Sequence, residues 1–332
     1  MRYLHFCAHE QFPPEALLRQ AIAAEKAGFD GIGCSDHLQP WWEGGESGNA
    51  WVWLGAAAQA TDRVLFGTGV TPPGPRYHPA LIAQAWATME LMFPGRPYLG
   101  FGSGEALNEA PLGQGWPPVG EQIERMEEAL EMIRALWDGK RLTGTGNHFA
   151  ADGAFIHSLP EKRRPPIYVS AFGPQAAGVA GRQGDGLWTL ADPESVPEII
   201  EAYRSAAADA GREPGEIVLQ AAFSWAEDDD DDALEGARVW KGAQPKEFYR
   251  EDWHDPKAMQ EHGSEQLSDD DLREAMIISS DPDQHVERIR EVEEMGATTV
   301  ALMNNSGADP EGAIAVYAHE VLPKLSRSLT PG

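Results

Sequence analysis

The sequence predicts a parallel (β/α)8 barrel of the TIM type, α/β in class, with insertions after the fourth and seventh strands. Three observations carry this prediction. Eight short apolar runs are bounded by Gly, Pro, Asn or Asp; segments of helical period separate them; and the reactive side chains gather where the apolar runs end. With 332 residues, 42% of them hydrophobic and 11 of them Trp, the chain can fill a large core. It reads as one barrel domain over residues 1–332.

The first strand is read at 3–8 and stops at Glu10 and the pair Pro13-Pro14. A helix follows, with Leu17, Leu18, Ala21, Ala24 and Ala27 on one face and Gly28 as its C-terminal stop. A second strand at 30–34 runs into Ser35-Asp36-His37-Leu38-Gln39-Pro40-Trp41-Trp42. The alternation continues as a helix at 50–60, a strand at 64–70, a helix at 79–92 that opens on proline, and a strand at 97–102.

After the fourth strand comes an irregular Gly/Pro-rich segment, 104–118, and then a helix at 119–137. Its apolar residues Ile123, Met126, Leu130, Ile133 and Leu136 recur three or four apart. Gly144, Gly146 and Gly153 punctuate a hairpin or loop excursion over 140–160. Strands at 167–171, 186–190, 217–225 and 298–303 complete the eight, with helices at 196–210 and around 314–325. The polar stretch 227–268 breaks the repeat after the seventh strand and is expected to cover the barrel mouth. Its acidic run, 228–232, reads as a solvated loop rather than a metal site, because nothing fixes five adjacent carboxylates on one cation.

Fifty-three acidic residues against 26 basic ones give a formal charge of -27. That charge argues against nucleic acid or anionic membrane as a partner and suits a protein kept soluble in high salt. Cys7 and Cys34 sit in strand-like runs as small hydrophobes, so no disulfide framework is indicated. Residues 1–9 lack the basic and apolar regions of a signal peptide, and no apolar run approaches the roughly 20 residues of a membrane span, so a cytoplasmic protein is expected.

In a barrel of this kind the strand ends bring Glu10, Asp36, His37, Gly69, Glu105, Phe172, Gly173, Trp225 and Asn304 to one face. His37 can take the proton of a substrate hydroxyl, and Glu105 or Glu10 can serve as an acid or a second base. Trp41, Trp42, Trp51 and Trp53 offer walls for a planar ligand or simply core packing. The histidines His5, His9, His37 and His78 have no compact ligand spacing, and no metal is expected. The turn at Gly173-Pro174 follows a strand and opens a helix, an arrangement usable as a phosphate cradle.

Four separated blocks carry a resemblance over nearly the whole chain: Ser35-Asp36-His37-Leu38-Gln39-Pro40-Trp41, Gly67-Thr68-Gly69-Val70, Gly102-Ser103-Gly104-Glu105-Ala106-Leu107-Asn108-Glu109 and Gly181-Arg182-Gln183-Gly184-Asp185-Gly186. Together they resemble the coenzyme F420-dependent glucose-6-phosphate dehydrogenases of the luciferase-like barrel superfamily. The resemblance implies a 5-deazaflavin that accepts a hydride, with the protein supplying position and charge. It implies that Asp36 holds the cofactor, that His37 lies beside the reacting hydroxyl and that Trp41 covers the reacting centre. Glu105 would sit near the ring nitrogen that gains a proton, and Glu10 is a further mouth carboxylate. Gly69-Val70 falls where the family has a non-proline cis peptide, and Asn108, Gly173 and Pro174 would lie along the phosphate-bearing tail.

The chain departs from the family at the sugar-phosphate pocket. Two of the family's cations fall on Pro193 and Ala275, and the third falls near Arg250 or Lys246. The expectation is therefore an F420-dependent dehydrogenase, a homodimer by analogy, that oxidises a hydroxyl of a sugar or alcohol, with a phosphorylated donor disfavoured. The alternatives are an FMN-dependent monooxygenase on the same barrel and a non-catalytic F420-binding protein.

Overall fold

The alternation of strands and helices closes on itself in the computed structural model, which describes residues 1–113 and 115–327. The strands are β1 (Arg2–Cys7), β2 (Gly31–Cys34), β3 (Leu65–Thr68), β4 (Pro97–Phe101), β5 (Leu142–Thr145), β6 (Ala150–Ala154), β7 (Ile167–Ser170), β8 (Gly186–Leu190), β9 (Glu216–Ser224), β10 (Ile277–Ile278) and β11 (Thr299–Asn304). Eight of them pair in parallel in the order β1-β2-β3-β4-β7-β8-β9-β11, and β11 returns to β1 to shut the barrel. The expected hairpin over 140–160 is present as antiparallel β5 and β6, outside the barrel. The short β10 adds to the end of β9 at Phe223 and Ser224.

The barrel strands are buried along most of their length, β4 and β11 at every position, because helices cover one side and the barrel core the other. This is why they read as continuous apolar runs rather than alternating ones. Phe6, Tyr98 and Trp188 stack across the interior. At Gly69 a Cβ would lie 2.6 Å from the Trp188 ring and 2.7 Å from Phe6, so only glycine lets the chain pass there. The peptide between Gly69 and Val70 is cis, as the resemblance implies. Cys7 and Cys34 are register partners on β1 and β2, buried and free.

The helices are α1 (Pro14–Ala27), α2 (Ala50–Ala60), α3 (Pro79–Met92), α4 (Ala106–Glu109), α5 (Val119–Trp137), α6 (Pro174–Gln183), α7 (Val196–Asp209), α8 (Asp230–Ala237), α9 (Pro256–Gln266), α10 (Asp269–Ala275), α11 (Pro282–Glu294), α12 (Pro310–Val316) and α13 (Leu322–Arg327), with a π-helical turn at Tyr317–Val321 joining the last two. Gly28 ends α1 in the left-handed region at φ 98°, the conformation glycine adopts without cost. Among the described residues no helix is long and apolar enough to cross a membrane.

One sequence reading needs correction. The acidic run at 228–232 is not simply a solvated loop: Asp229 caps α8 by accepting from the N–H groups of Asp231 and Asp232, and Asp230 accepts from Ser279 and Ser280. Negative charge at a helix N-terminus is favourable, so the run starts a helix. The polar stretch 227–268 likewise contains α8 and α9, the latter capped by Asp255. Their apolar faces are too narrow to stand out in the sequence, but their capping acids are present in it.

Helix α6 carries the Gly173-Pro174 turn and lies close against α7. A Cβ on Gly181 would sit 2.4 Å from the carbonyl oxygen of Tyr203 and 2.7 Å from the backbone nitrogen of Ala207. Substituting Gly181→Ala should therefore lower stability by about 1–3 kcal/mol despite the better helix propensity of alanine. Urea unfolding should show a lower midpoint at unchanged slope; an unmoved midpoint would mean that α6 can slide off α7 freely.

Candidate active site

Three strand ends supply a carboxyl, an imidazole and a second carboxyl. Glu10 follows β1, His37 follows β2, and Glu105 stands at the N-terminus of α4 just after β4. His37 Nδ1 lies 3.2 Å from Glu10 Oε1, and His37 Nε2 lies 3.3 Å from Glu105 Oε2. Nδ1 is buried and makes no hydrogen bond of good geometry, so the ring is gripped by proximity more than by bonding. Ser35 Oγ donates to Glu10 Oε2 at 2.8 Å and fixes that carboxyl from behind.

Burial drives all three groups toward their neutral forms. Glu10, 1% exposed, is pushed up to about 7 by loss of solvent, partly opposed by the Ser35 hydrogen bond. Loss of solvent raises Glu105 to about 8, and the negative field of Glu10 adds to the rise. Loss of solvent also lowers His37 to about 3, assisted by the nearby Arg76 and His9. At neutral pH the imidazole is thus uncharged and keeps a lone pair, while Glu105 still holds its proton.

Asp36, beside His37 in sequence, faces the other way. Its carboxylate accepts from Thr71 Oγ1 at 2.6 Å, Trp51 Nε1 at 3.1 Å, Arg76 at 3.0 Å and the Tyr77 hydroxyl at 3.2 Å. Arg76 also donates to the backbone carbonyl of Asp36 at 2.8 Å and through Nε to Glu109 at 2.7 Å. The cofactor-holding expected of Asp36 therefore falls to a carboxylate already supplied with four donors, whose visible work is to fix the loops around it. Arg76, Tyr77, Thr71 and Glu109 escaped the sequence reading. Their signal was available: Arg76 is a lone cation in the proline-rich stretch Pro72-Pro73-Gly74-Pro75-Arg76-Tyr77 after a strand end.

Asn108 is buried and pins the loop that carries His37. Its Oδ1 accepts from the N–H groups of Leu38 at 2.7 Å and Gln39 at 3.3 Å, and its Nδ2 donates to Glu105 Oε2 at 3.2 Å. Trp41, 4% exposed, stands beside His37 with ring centres 5.4 Å apart. Trp42, which the sequence left without a role, packs edge-on against Trp240 at 5.0 Å and anchors the insertion. Gly173 and Pro174 begin α6 with no side-chain cap on its N–H groups, beside Phe172, whose ring packs 5.1 Å from Tyr249 of the insertion. Two other strand-end residues are spent on backbone groups: Trp225 Nε1 donates to the carbonyl of Ser280, and Asn304 Nδ2 donates to that of Pro310.

Residues 1–299 match the family model of the luciferase-like monooxygenases. The chain is 39% identical to an F420-dependent glucose-6-phosphate dehydrogenase of Microbacterium testaceum, over 98% of each chain. It is 36% identical to an F420-dependent hydroxymycolic acid dehydrogenase of Mycobacterium tuberculosis, over 96% of this chain and 86% of that one. A solved structure of an F420-dependent secondary alcohol dehydrogenase, in complex with an F420-acetone adduct, superposes with a TM-score of 0.93 at 34% identity over 98% of both chains.

The raised carboxyl has a consequence for stability. Unfolded, Glu105 ionises near 4.5; folded, it keeps its proton to about 8, so the folded state binds the extra proton and loses stability as pH rises through that window. Glu105→Gln removes the penalty. In chemical denaturation of the cofactor-free protein, the variant should gain on the wild type progressively between about pH 4.5 and 8 and hold a constant lead above; a pH-independent difference would contradict the buried, protonated carboxyl.

Proposed function

The chain belongs to the luciferase-like family, within its F420-dependent glucose-6-phosphate dehydrogenase-like branch, and from that membership we propose that it is an F420-dependent dehydrogenase that oxidises a hydroxyl of a small, unphosphorylated molecule. The observation that carries the reading is the neutral imidazole of His37 held between the buried carboxyl of Glu10 and the half-buried carboxyl of Glu105. A neutral imidazole with a free lone pair and a carboxyl that retains its proton at neutral pH suit a site where a hydroxyl is deprotonated and a cofactor ring is protonated.

F420, when bound, supplies the hydride acceptor, and the remaining work belongs to the protein. With its own proton on Nδ1 beside Glu10, His37 accepts the hydroxyl proton at Nε2. Glu10, ionised above about pH 7, steadies the imidazolium as it forms. Glu105 holds the proton to be given up, and Asn108 keeps that carboxyl and the His37 loop in register. Trp41 covers the centre and excludes water. Gly69 and Val70 would back the cofactor ring, Asp36 would hold its surroundings through Arg76 and Tyr77, and the open turn at Gly173-Pro174 would receive the tail.

A phosphorylated donor is disfavoured because one of the two candidate cations, Lys246, is already neutralised. Lys246 reaches Asp192 and Glu194 at 3.3 Å each, on either side of Pro193, so a phosphate there would meet carboxylates. We place the enzyme in the cytoplasm, as one barrel domain whose 227–268 segment covers the mouth, consistent with its two buried free thiols.

We also propose a homodimer through α2 and α3. Helix α2 has no charged residue and α3 has only the buried Glu90, while Val52, Leu81, Leu91 and Met92 stand exposed on them. Trp51 and Trp86 lock the two helices together. Two copies of a chain with charge -27 repel least through this uncharged face.

In an assay of oxidised-F420 absorbance, neutral alcohols or sugars should support reduction better than glucose 6-phosphate, over a bell-shaped pH profile rising near 7 with Glu10 and falling near 8 with Glu105. His37→Ala should lower turnover by about 10²–10⁴-fold with F420 still bound; wild-type turnover in that variant would sink the assignment. For assembly, sedimentation should give a dimer that Val52→Asp with Leu81→Asp converts to a monomer, and a wild-type monomer at micromolar concentration would refute the interface.

A further inference from the structure

The insertion does more than close the mouth. Its 3-10 turn Lys246–Tyr249 sets the Tyr249 ring between Trp41 at 5.4 Å and Phe172 at 5.1 Å. Tyr249 thereby spans from the loop after β2, which carries His37, to the loop after β7, which leads to Gly173-Pro174. Rings of Tyr249, Trp41 and His37 form one continuous series leading to the reacting imidazole. Loss of solvent raises the Tyr249 hydroxyl well above its usual range, and the negative fields of Glu105 and Glu10 add to the rise.

The chemistry of this wall is apolar. The Tyr249 hydroxyl donates to the carbonyl of Ala243 at 2.8 Å, so the residue turns its ring, not its polar tip, to its neighbours. The nearest polar side chain on the facing loop, Gln39, spends its Nε2 on the carbonyls of Leu107 at 3.0 Å and His254 at 3.1 Å. Behind Trp41 the insertion passes at glycine: a Cβ on Gly242 would lie 2.8 Å from the Trp41 carbonyl oxygen. The insertion therefore packs closely behind Trp41. A sugar buried here would leave hydroxyls unpaired, which costs more than an aliphatic group gains or loses.

From this geometry we infer that Tyr249 is a specificity-determining residue: its ring is the outer wall of the substrate site, and it restricts the donor to a small aliphatic alcohol. The inference rests on the dehydrogenase reading and narrows its substrate class. Tyr249 itself moves no proton, and its hydroxyl is not needed beyond the bond to Ala243.

The test uses the full-length protein with F420 and compares kcat/KM for propan-2-ol, 4-methylpentan-2-ol, 1-phenylethanol and glucose. Wild type should prefer propan-2-ol. In Tyr249→Ala the ratio of 1-phenylethanol to propan-2-ol should rise by about 10-fold or more, the discrimination expected of a pocket relieved of a few carbon atoms. Tyr249→Phe should keep the wild-type ratio within about twofold, and Tyr249→Trp should lower it, with F420 affinity by fluorescence unchanged throughout. Ratios unmoved in both the Ala and Trp variants would overturn the inference, and so would a wild type that oxidises glucose but none of the alcohols, leaving the dehydrogenase reading intact. A wild type that binds F420 but fails to reduce it with any of these donors would overturn both.

Discussion

Arg76 lies between the carboxylates of Asp36 and Glu109 and donates as well to the Asp36 backbone, so one guanidinium ties together the loops that follow β2, β3 and β4. Those loops carry His37, the Gly69-Val70 peptide and Glu105. The side chain is only 8% exposed, and both partner carboxylates are buried further still. A buried ion pair contributes little net stability, yet removing one partner costs about 3–5 kcal/mol because the other is left charged and dry. The consequence is geometric. The three loops can move only together, which is what a site with tolerances of a fraction of an ångström requires.

The same burial sets the protonation states. Arg76 lowers both His37 and Glu105, but loss of solvent is the larger cause for each, and for Glu105 it acts in the opposite direction. An imidazole between two carboxylates in water would be an imidazolium. Here, away from solvent, the three groups share too little dielectric to carry three charges, and the neutral set wins. That outcome leaves a neutral imidazole and a protonated carboxyl 3.3 Å apart at the same pH.

Much of this was legible in the sequence, for reasons that also explain the gaps. Glu10, His37 and Glu105 could be brought together because each directly follows a strand, and a closed parallel barrel sends all such positions to one rim. The eight strands were legible because they are buried on both sides and so uniformly apolar. Arg76 was not, because its partners lie on two other loops and no local pattern links them. Asn108 was assigned to the cofactor tail by resemblance, whereas its visible bonds go to Leu38, Gln39 and Glu105. Trp42 lacked a role because its partner, Trp240, lies in the insertion, where short capped helices replace any long period.

The division between barrel and insertion separates two kinds of constraint. Proton handling depends on strand-end groups whose spacing the hydrogen-bonded register fixes, and a change there disturbs the whole barrel. The proposed substrate wall belongs to a 3-10 turn that contacts the barrel through Trp41, Phe172 and the Lys246 ion pairs. Such a segment can change sequence without unsettling the register beneath it. A chain can therefore keep Glu10, His37 and Glu105 at the strand ends while the segments around them change. Substrate choice is free to vary because the fold does not depend on the residues that make it.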